Sequence, residues 1–185
     1  MMFNPHNNHH LLVIDDHQSI HQDFRKILAN SSVRDVLGEL ESGLFGQKAG
    51  DSDSGTPIFE IDSAYDGEEG LALIERSLLE DRPYALAFVD VRMAPGWDGV
   101  QTTCKIWEKY PDLQVVLCTG FADRPWAEMV RPLGFLDRVV VLIKPFDNIE
   151  VLQLAVAMTE KWRLNQQAKL RVDNLEKMVD DLILR

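Results

Sequence analysis

Residues 11–15 read LLVID, a short apolar run that ends in an acid. A strand with one wet face alternates apolar and polar residues, whereas an unbroken apolar run implies burial on both faces. The pattern returns as YALAFVD at 84–90, LQVVLCT at 113–119 and RVVVLI at 138–143, with a shorter strand, IFEI, at 58–61. Between these runs, apolar residues recur at helical spacing over 18–28, 67–79 and 98–109, more weakly over 125–131, and again from Asp147 onward. The alternation β-α, repeated five times, predicts an α/β fold. Its core is a five-stranded, parallel, doubly wound sheet with helices on both faces.

Three segments are surplus to that alternation. Residues 1–10 are polar and rich in His and Asn, and are expected to form a flexible tail in which the histidines are disordered. Residues 30–56 form an insertion where a connection of a few residues would suffice. It holds one amphipathic piece, VRDVLGELESGLF, read as a small helix, and then loop chemistry, GQKAGDSDSGTP. Residues 159–185 continue the last helix past the point where a domain over 11–158 should end.

Charge and composition exclude several classes. The net charge is −11, from 19 basic and 30 acidic residues. An acidic chain lacks the basic face that direct nucleic-acid binding needs and that docking on anionic membranes needs. No apolar run approaches the roughly 20 residues of a membrane span, and MMFNPHNNHH has no basic n-region of a secretory signal. A cytoplasmic protein is expected, with Cys104 and Cys118 as buried, reduced thiols.

In doubly wound sheets ligands bind beyond the carboxyl ends of the strands. Those ends carry Asp15 and Asp16, then Asp90, Thr119 and Lys144. Crowded carboxylates repel one another unless a hard cation neutralises them. Two or three carboxylates with water suit Mg²⁺. A hydroxyl and an ammonium beside them complete a site for phosphoryl transfer, with one carboxylate as the nucleophile. His17 and His21 are four residues apart. They fit a metal-binding pair or, more simply, a solvated helix face.

The motifs VIDD at 13–16, FVDVRM…DG at 88–99, LCTG at 117–120 and IKPF at 143–146 stand in this order, each at the end of its own strand. In this the sequence resembles receiver domains of two-component response regulators, of the kind attached to multidomain signalling proteins. The resemblance covers residues 11 to about 158, apart from the insertion. It implies the flavodoxin-like strand order 2-1-3-4-5. It makes Asp90 the phosphoacceptor, and Thr119 and Lys144 the contacts to phosphoryl oxygens. Asp15, Asp16, Asp90 and the backbone carbonyl of Arg92 would hold Mg²⁺. Lys144–Pro145 would be a cis peptide. The implied partner is a histidine kinase or phosphotransfer protein, and the chain would be a switch rather than an enzyme.

Some positions depart from the family pattern. The run Met93-Ala94-Pro95-Gly96-Trp97-Asp98-Gly99 is one residue longer than usual, which affects the Arg92 carbonyl. Many receivers have an aromatic residue three before the lysine; here it is Val141, which has no ring to turn inward. Arg92 and Phe121 are bulky at positions that tune dephosphorylation, and a long-lived phosphoryl form is expected. The alternative is a pseudo-receiver, a phosphorylation-independent module for protein interaction and dimerisation. A phosphohydrolase lacks its second Asp, because Arg92 stands there. A flavodoxin-like cofactor binder lacks a phosphate-cradling loop after the first strand.

From Asp147 to Leu184 there is no Gly or Pro. Asn165, Val172 and Val179 recur every seven residues, and Ala168, Leu175 and Leu182 do so with an offset of three. This is an a/d seam with β-branched residues at two a positions and Leu at two d positions, a pattern that favours parallel dimers. Residues 160–185 are read as a dimeric coiled-coil linker to an output domain that lies outside these residues or in a separate partner.

Overall fold

A computed structural model describes residues 8–29, 58–120, 127, 131–134 and 136–183. The helices expected within the insertion and over 125–131, and Phe121, lie outside the described residues, except Ala127 and Arg131. The elements are β1 (His10–Ile14), α1 (Gln18–Ala29), β2 (Glu60–Ala64), α2 (Gly67–Leu79), β3 (Leu86–Asp90), α3 (Gly99–Lys109), β4 (Gln114–Gly120), a 3₁₀ turn (Leu136–Arg138), β5 (Val139–Lys144) and α4 (Asn148–Ile183). All strand pairs are parallel, in the order β2-β1-β3-β4-β5.

The apolar strands fill two cores because successive side chains point to opposite faces. Leu12 and Ile14, Ala87 and Val89, and Val115 and Leu117 face one side, with Ile74 of α2 and Ile106 and Trp107 of α3. Leu11 and Val13, Leu86 and Phe88, and Val116 and Cys118 face the other. There they meet Phe24, Ile27 and Leu28 of α1 and Val151, Leu152 and Ala155 of α4. Both cysteines are free; Cys118 is buried as expected, but Cys104 is only half-buried.

The second strand lies later than its sequence suggests, at Glu60–Ala64 rather than 58–61. It is an edge strand paired only to β1, so it carries Glu60, Asp62 and Ser63 and leaves Ile58 exposed. The loose tail expected over 1–10 does not reach residues 8–10. Asn8 Nδ2 donates to the Pro83 carbonyl (2.8 Å), and the His9 carbonyl accepts from Glu60 N–H. His10 opens β1. Its ring stacks on Tyr84 and its Nε2 lies 2.9 Å from Asp62 Oδ2, which also accepts from the Tyr84 hydroxyl.

Packing of the last helix on the body continues beyond residue 158. Trp162 is fully buried in the core on the α2/α3 side, although the preceding turns of α4 pack on the α1 side. Its Nε1 donates to the Tyr110 hydroxyl (2.7 Å). Over the next two turns, Gln166 and Lys169 both donate to the Asp112 carboxylate. The helix therefore leaves the body held against the turn that precedes β4.

Candidate functional site

Each candidate residue stands at the carboxyl edge of the sheet because its strand ends there. Asp15 and Asp16 follow β1, Asp90 closes β3, Thr119 sits next to last in β4, and Lys144 closes β5. Register pairs Asp90 with Cys118 and Lys144 with Gly120, so Thr119 falls between the acceptor and the lysine along the edge. Asp15, Asp90 and Thr119 are buried, whereas Asp16 is exposed.

The structure brings three of these groups into direct contact. Lys144 Nζ donates to Asp90 Oδ1 at 2.6 Å and to Asp15 Oδ2 at 2.8 Å. One ammonium thus spans two buried carboxylates. Burial acts to lower the Lys144 pKa, but hydrogen bonds and charge from Asp15 and Asp90 outweigh it, and the ammonium is held above its usual range. At Asp90 burial dominates and raises the carboxyl pKa against the pull of Lys144. The second Asp90 oxygen accepts from the Arg92 backbone N–H at 2.9 Å. The Thr119 hydroxyl lies 3.4 Å from the Gly120 carbonyl. Lys144–Pro145 is cis, as the resemblance implies, and Ala94–Pro95 is cis as well.

The loop after Asp90 returns to α3 through Gly96, at φ +123°. Asp98 then caps α3 in a reciprocal box with Gln101. Gly99 is needed for space. A Cβ there would lie 2.2 Å from the Asp90 carbonyl oxygen and 2.9 Å from Val91 Cα, and both are backbone that cannot swing away. Gly99→Ala is expected to lower stability by about 1–3 kcal/mol through forced displacement of the acceptor strand. Urea unfolding would check this, and an unchanged midpoint would refute it.

The histidines are distributed differently from the sequence reading. The helix begins at Gln18, so His17 precedes it and does not share a helical face with His21. His21 is not on a solvated face; it is fully buried, with Nε2 2.7 Å from the Asp15 carbonyl and its ring against Tyr65. His17 is exposed, and its Nδ1 lies 2.7 Å from Asp16 Oδ1. Hydrogen bonding to Asp16 raises the His17 pKa, helped by the charges of Asp16 and Asp15. Asp15, Asp16 and His17 form a metal-capable trio whose ligand atoms all lie within 4.8 Å of one another. His17, adjacent to Asp16 in sequence, thus meets the two aspartates rather than His21.

This donor set fits a hard divalent cation. Ligand atoms of Asp15 and Asp16 lie within 4.8 Å of each other, and Asp90 shares the Lys144 ammonium with Asp15. Oxygen donors of this kind are what Mg²⁺ takes. Cys118, in the strand between, is no rival ligand, because full burial pushes its thiol pKa far up.

No protein-family profile matches the chain. Response regulator GacA of Pseudomonas protegens is 27% identical over 127 residues, which is 67% of this chain and 44% of that relative. The chain thus spans less than half of that relative's length. Among solved structures, a protein described as an adenylate cyclase from Rhodopirellula baltica superposes with a TM-score of 0.64 at 20% identity, over 90% of this chain and 98% of that one. A CheY-like response regulator receiver domain protein from Methanospirillum hungatei gives a TM-score of 0.58 at 19% identity, over 84% and 97%. At such identities the structures speak for the fold alone. The sheet order, the acid cluster at its carboxyl edge and a response regulator among the relatives agree with the resemblance to receiver domains of two-component systems.

Proposed function

We propose that the chain is a phosphoacceptor switch, not a turnover enzyme, and that Asp90 takes a phosphoryl group from a histidine kinase or phosphotransfer protein. The observation that supports this most directly is the Lys144 ammonium, in hydrogen-bond contact with both Asp15 and Asp90. An Asp90 carboxylate oxygen attacks phosphorus, a P–O bond forms, and the P–N bond to the donor histidine breaks. Lys144 follows the new charge on the phosphoryl oxygens, and Thr119 offers a hydroxyl beside them. Asp15, Asp16, Asp90 and the Arg92 carbonyl would hold Mg²⁺, which neutralises charge on the transferring group when bound. Protein mass after incubation with Mg²⁺ and acetyl phosphate tests this reading. A gain of one phosphoryl group is expected. An unmodified protein that also fails to bind beryllofluoride would instead mark a pseudo-receiver, the alternative that Val141 favours.

The signal is proposed to leave through α4, in the cytoplasm, toward an output domain or partner. Val172, Leu175, Val179 and Leu182 are all exposed. At 3.6 residues per turn, this seam lies roughly a third of a turn from the face that Trp162, Gln166 and Lys169 press on the body. The helix can therefore stay anchored while the seam meets a second copy in parallel. No helix among the described residues is long and apolar enough to cross a membrane. Leu175→Asp is expected to convert a dimer into a monomer in sedimentation velocity. A wild-type chain that stays monomeric at high concentration would overturn the dimer.

A further inference from the structure

We infer that His17 is an additional ligand at the cation site and tilts its preference from Mg²⁺ toward divalent ions that accept nitrogen, such as Co²⁺ or Zn²⁺. The inference rests on the reading of Asp15, Asp16 and Asp90 as that site. The His17 imidazole lies beside the acid pair with Nδ1 2.7 Å from Asp16 Oδ1 and 3.4 Å from Asp15 Oδ1. Its backbone is fixed at both ends. The N–H donates to Asp15 Oδ1 at 2.9 Å, and the carbonyl accepts from Ile20 N–H at 3.0 Å. The ring is not part of either core; 70% of the side chain is exposed. One ring nitrogen of His17 and one carboxylate oxygen of each aspartate already lie within 4.8 Å of one another, close enough to share one ion. His21, four residues on, is no substitute, because its Nε2 is committed to the Asp15 carbonyl inside the fold.

The consequence follows from ligand chemistry. Mg²⁺ prefers oxygen and keeps its waters, so an adjacent imidazole adds little to its affinity. Later first-row ions gain from nitrogen ligation, in the order that runs from Mn²⁺ up to Cu²⁺ and back to Zn²⁺. An all-oxygen site follows the same order less steeply. The identity of the residue after the acid pair then acts as a specificity determinant for the ion.

Calorimetric titration of the full chain with Mg²⁺ and with Co²⁺ tests the inference, in mildly alkaline buffer where the imidazole is neutral. His6, His9 and His10 offer Co²⁺ other nitrogen atoms. Only Co²⁺ that excess Mg²⁺ displaces is therefore counted, and its visible absorption reports nitrogen ligation. His17→Ala is expected to weaken this Co²⁺ binding about tenfold and to leave Mg²⁺ affinity unchanged. Loss of both affinities in equal measure, or of neither, overturns the role of His17 while the acid site stands. A wild-type chain that binds neither ion at a mutually competable site overturns the cation site itself, and this inference with it.

Discussion

Trp162→Ala is expected to destabilise the protein by about 3–5 kcal/mol, the range for removing a large aromatic side chain from a core that cannot collapse to fill the space. Trp162 is fully buried, and what surrounds it is fixed. Tyr110, the C-cap of α3, and Leu113 and Val115 belong to the same buried core cluster as Trp162. The substitution also leaves the buried Tyr110 hydroxyl without the indole donor, a loss that packing does not restore. Denaturant unfolding measures the first effect, and hydrogen exchange along 163–183 reads the second, a loosened linker. Trp162→Phe should recover most of the packing but not the hydrogen bond, at a cost of about 1–2 kcal/mol. A Trp162→Ala midpoint close to wild type would show that the helix is not anchored here. The Asp112 contacts beyond it are weaker because Lys169 is more than half exposed. Burial works to raise the Asp112 pKa, but bonds from Lys169 and Gln166 prevail and lower it. Their small stabilisation is therefore present at neutral pH and fades as pH falls through the lowered folded value.

This anchor shows where sequence reading stops. The strands of the sheet interior were legible because each is buried on both faces and therefore unbroken in its apolar run. Edge strand β2 was misplaced by two to three residues because only one partner covers it, and its half-polar EIDSA imitates loop chemistry. Asp15, Asp90 and Lys144 were legible as a group, since chain topology alone carries strand ends to one edge. Their contact through one ammonium was not, because side-chain reach depends on the register of five strands at once. Trp162 and Tyr110 are 52 residues apart, and neither belongs to a motif. Trp162 simply looked like one more apolar residue in a helix. His10 carried no periodic signal, and the four-residue spacing of His21 from His17 pointed to solvent rather than to the interior. Each is kept by a partner distant in sequence or by the backbone, Asp62 and Tyr84 for the one and the Asp15 carbonyl for the other.

Asp90→Asn is expected to abolish phosphoryl incorporation while leaving the fold at least as stable as the wild type. The amide is almost isosteric with the carboxylate, and its oxygen can still accept from Lys144. It has no anionic oxygen to attack phosphorus, so the loss should be complete rather than partial. Stability should hold because ionised Asp90 is a cost to the fold. Burial raises its folded pKa above the unfolded value, so the folded state favours the protonated carboxyl, and the neutral amide removes that cost at pH 7. Lys144→Ala should behave in the opposite way in the metal-free protein. It leaves Asp15 and Asp90 facing each other without their shared cation, in a pocket where both side chains are at most 10% exposed. Removal of one partner from a buried charge cluster costs about 3–5 kcal/mol, and added Mg²⁺ should restore much of this by taking over the neutralisation. Thermal unfolding of the two variants with and without Mg²⁺ separates these cases. An acceptor variant that is destabilised as much as the lysine variant would mean that the Lys144 bridge holds the fold together rather than readying a site. A lysine variant indifferent to Mg²⁺ would mean that the three carboxylates do not share a cation.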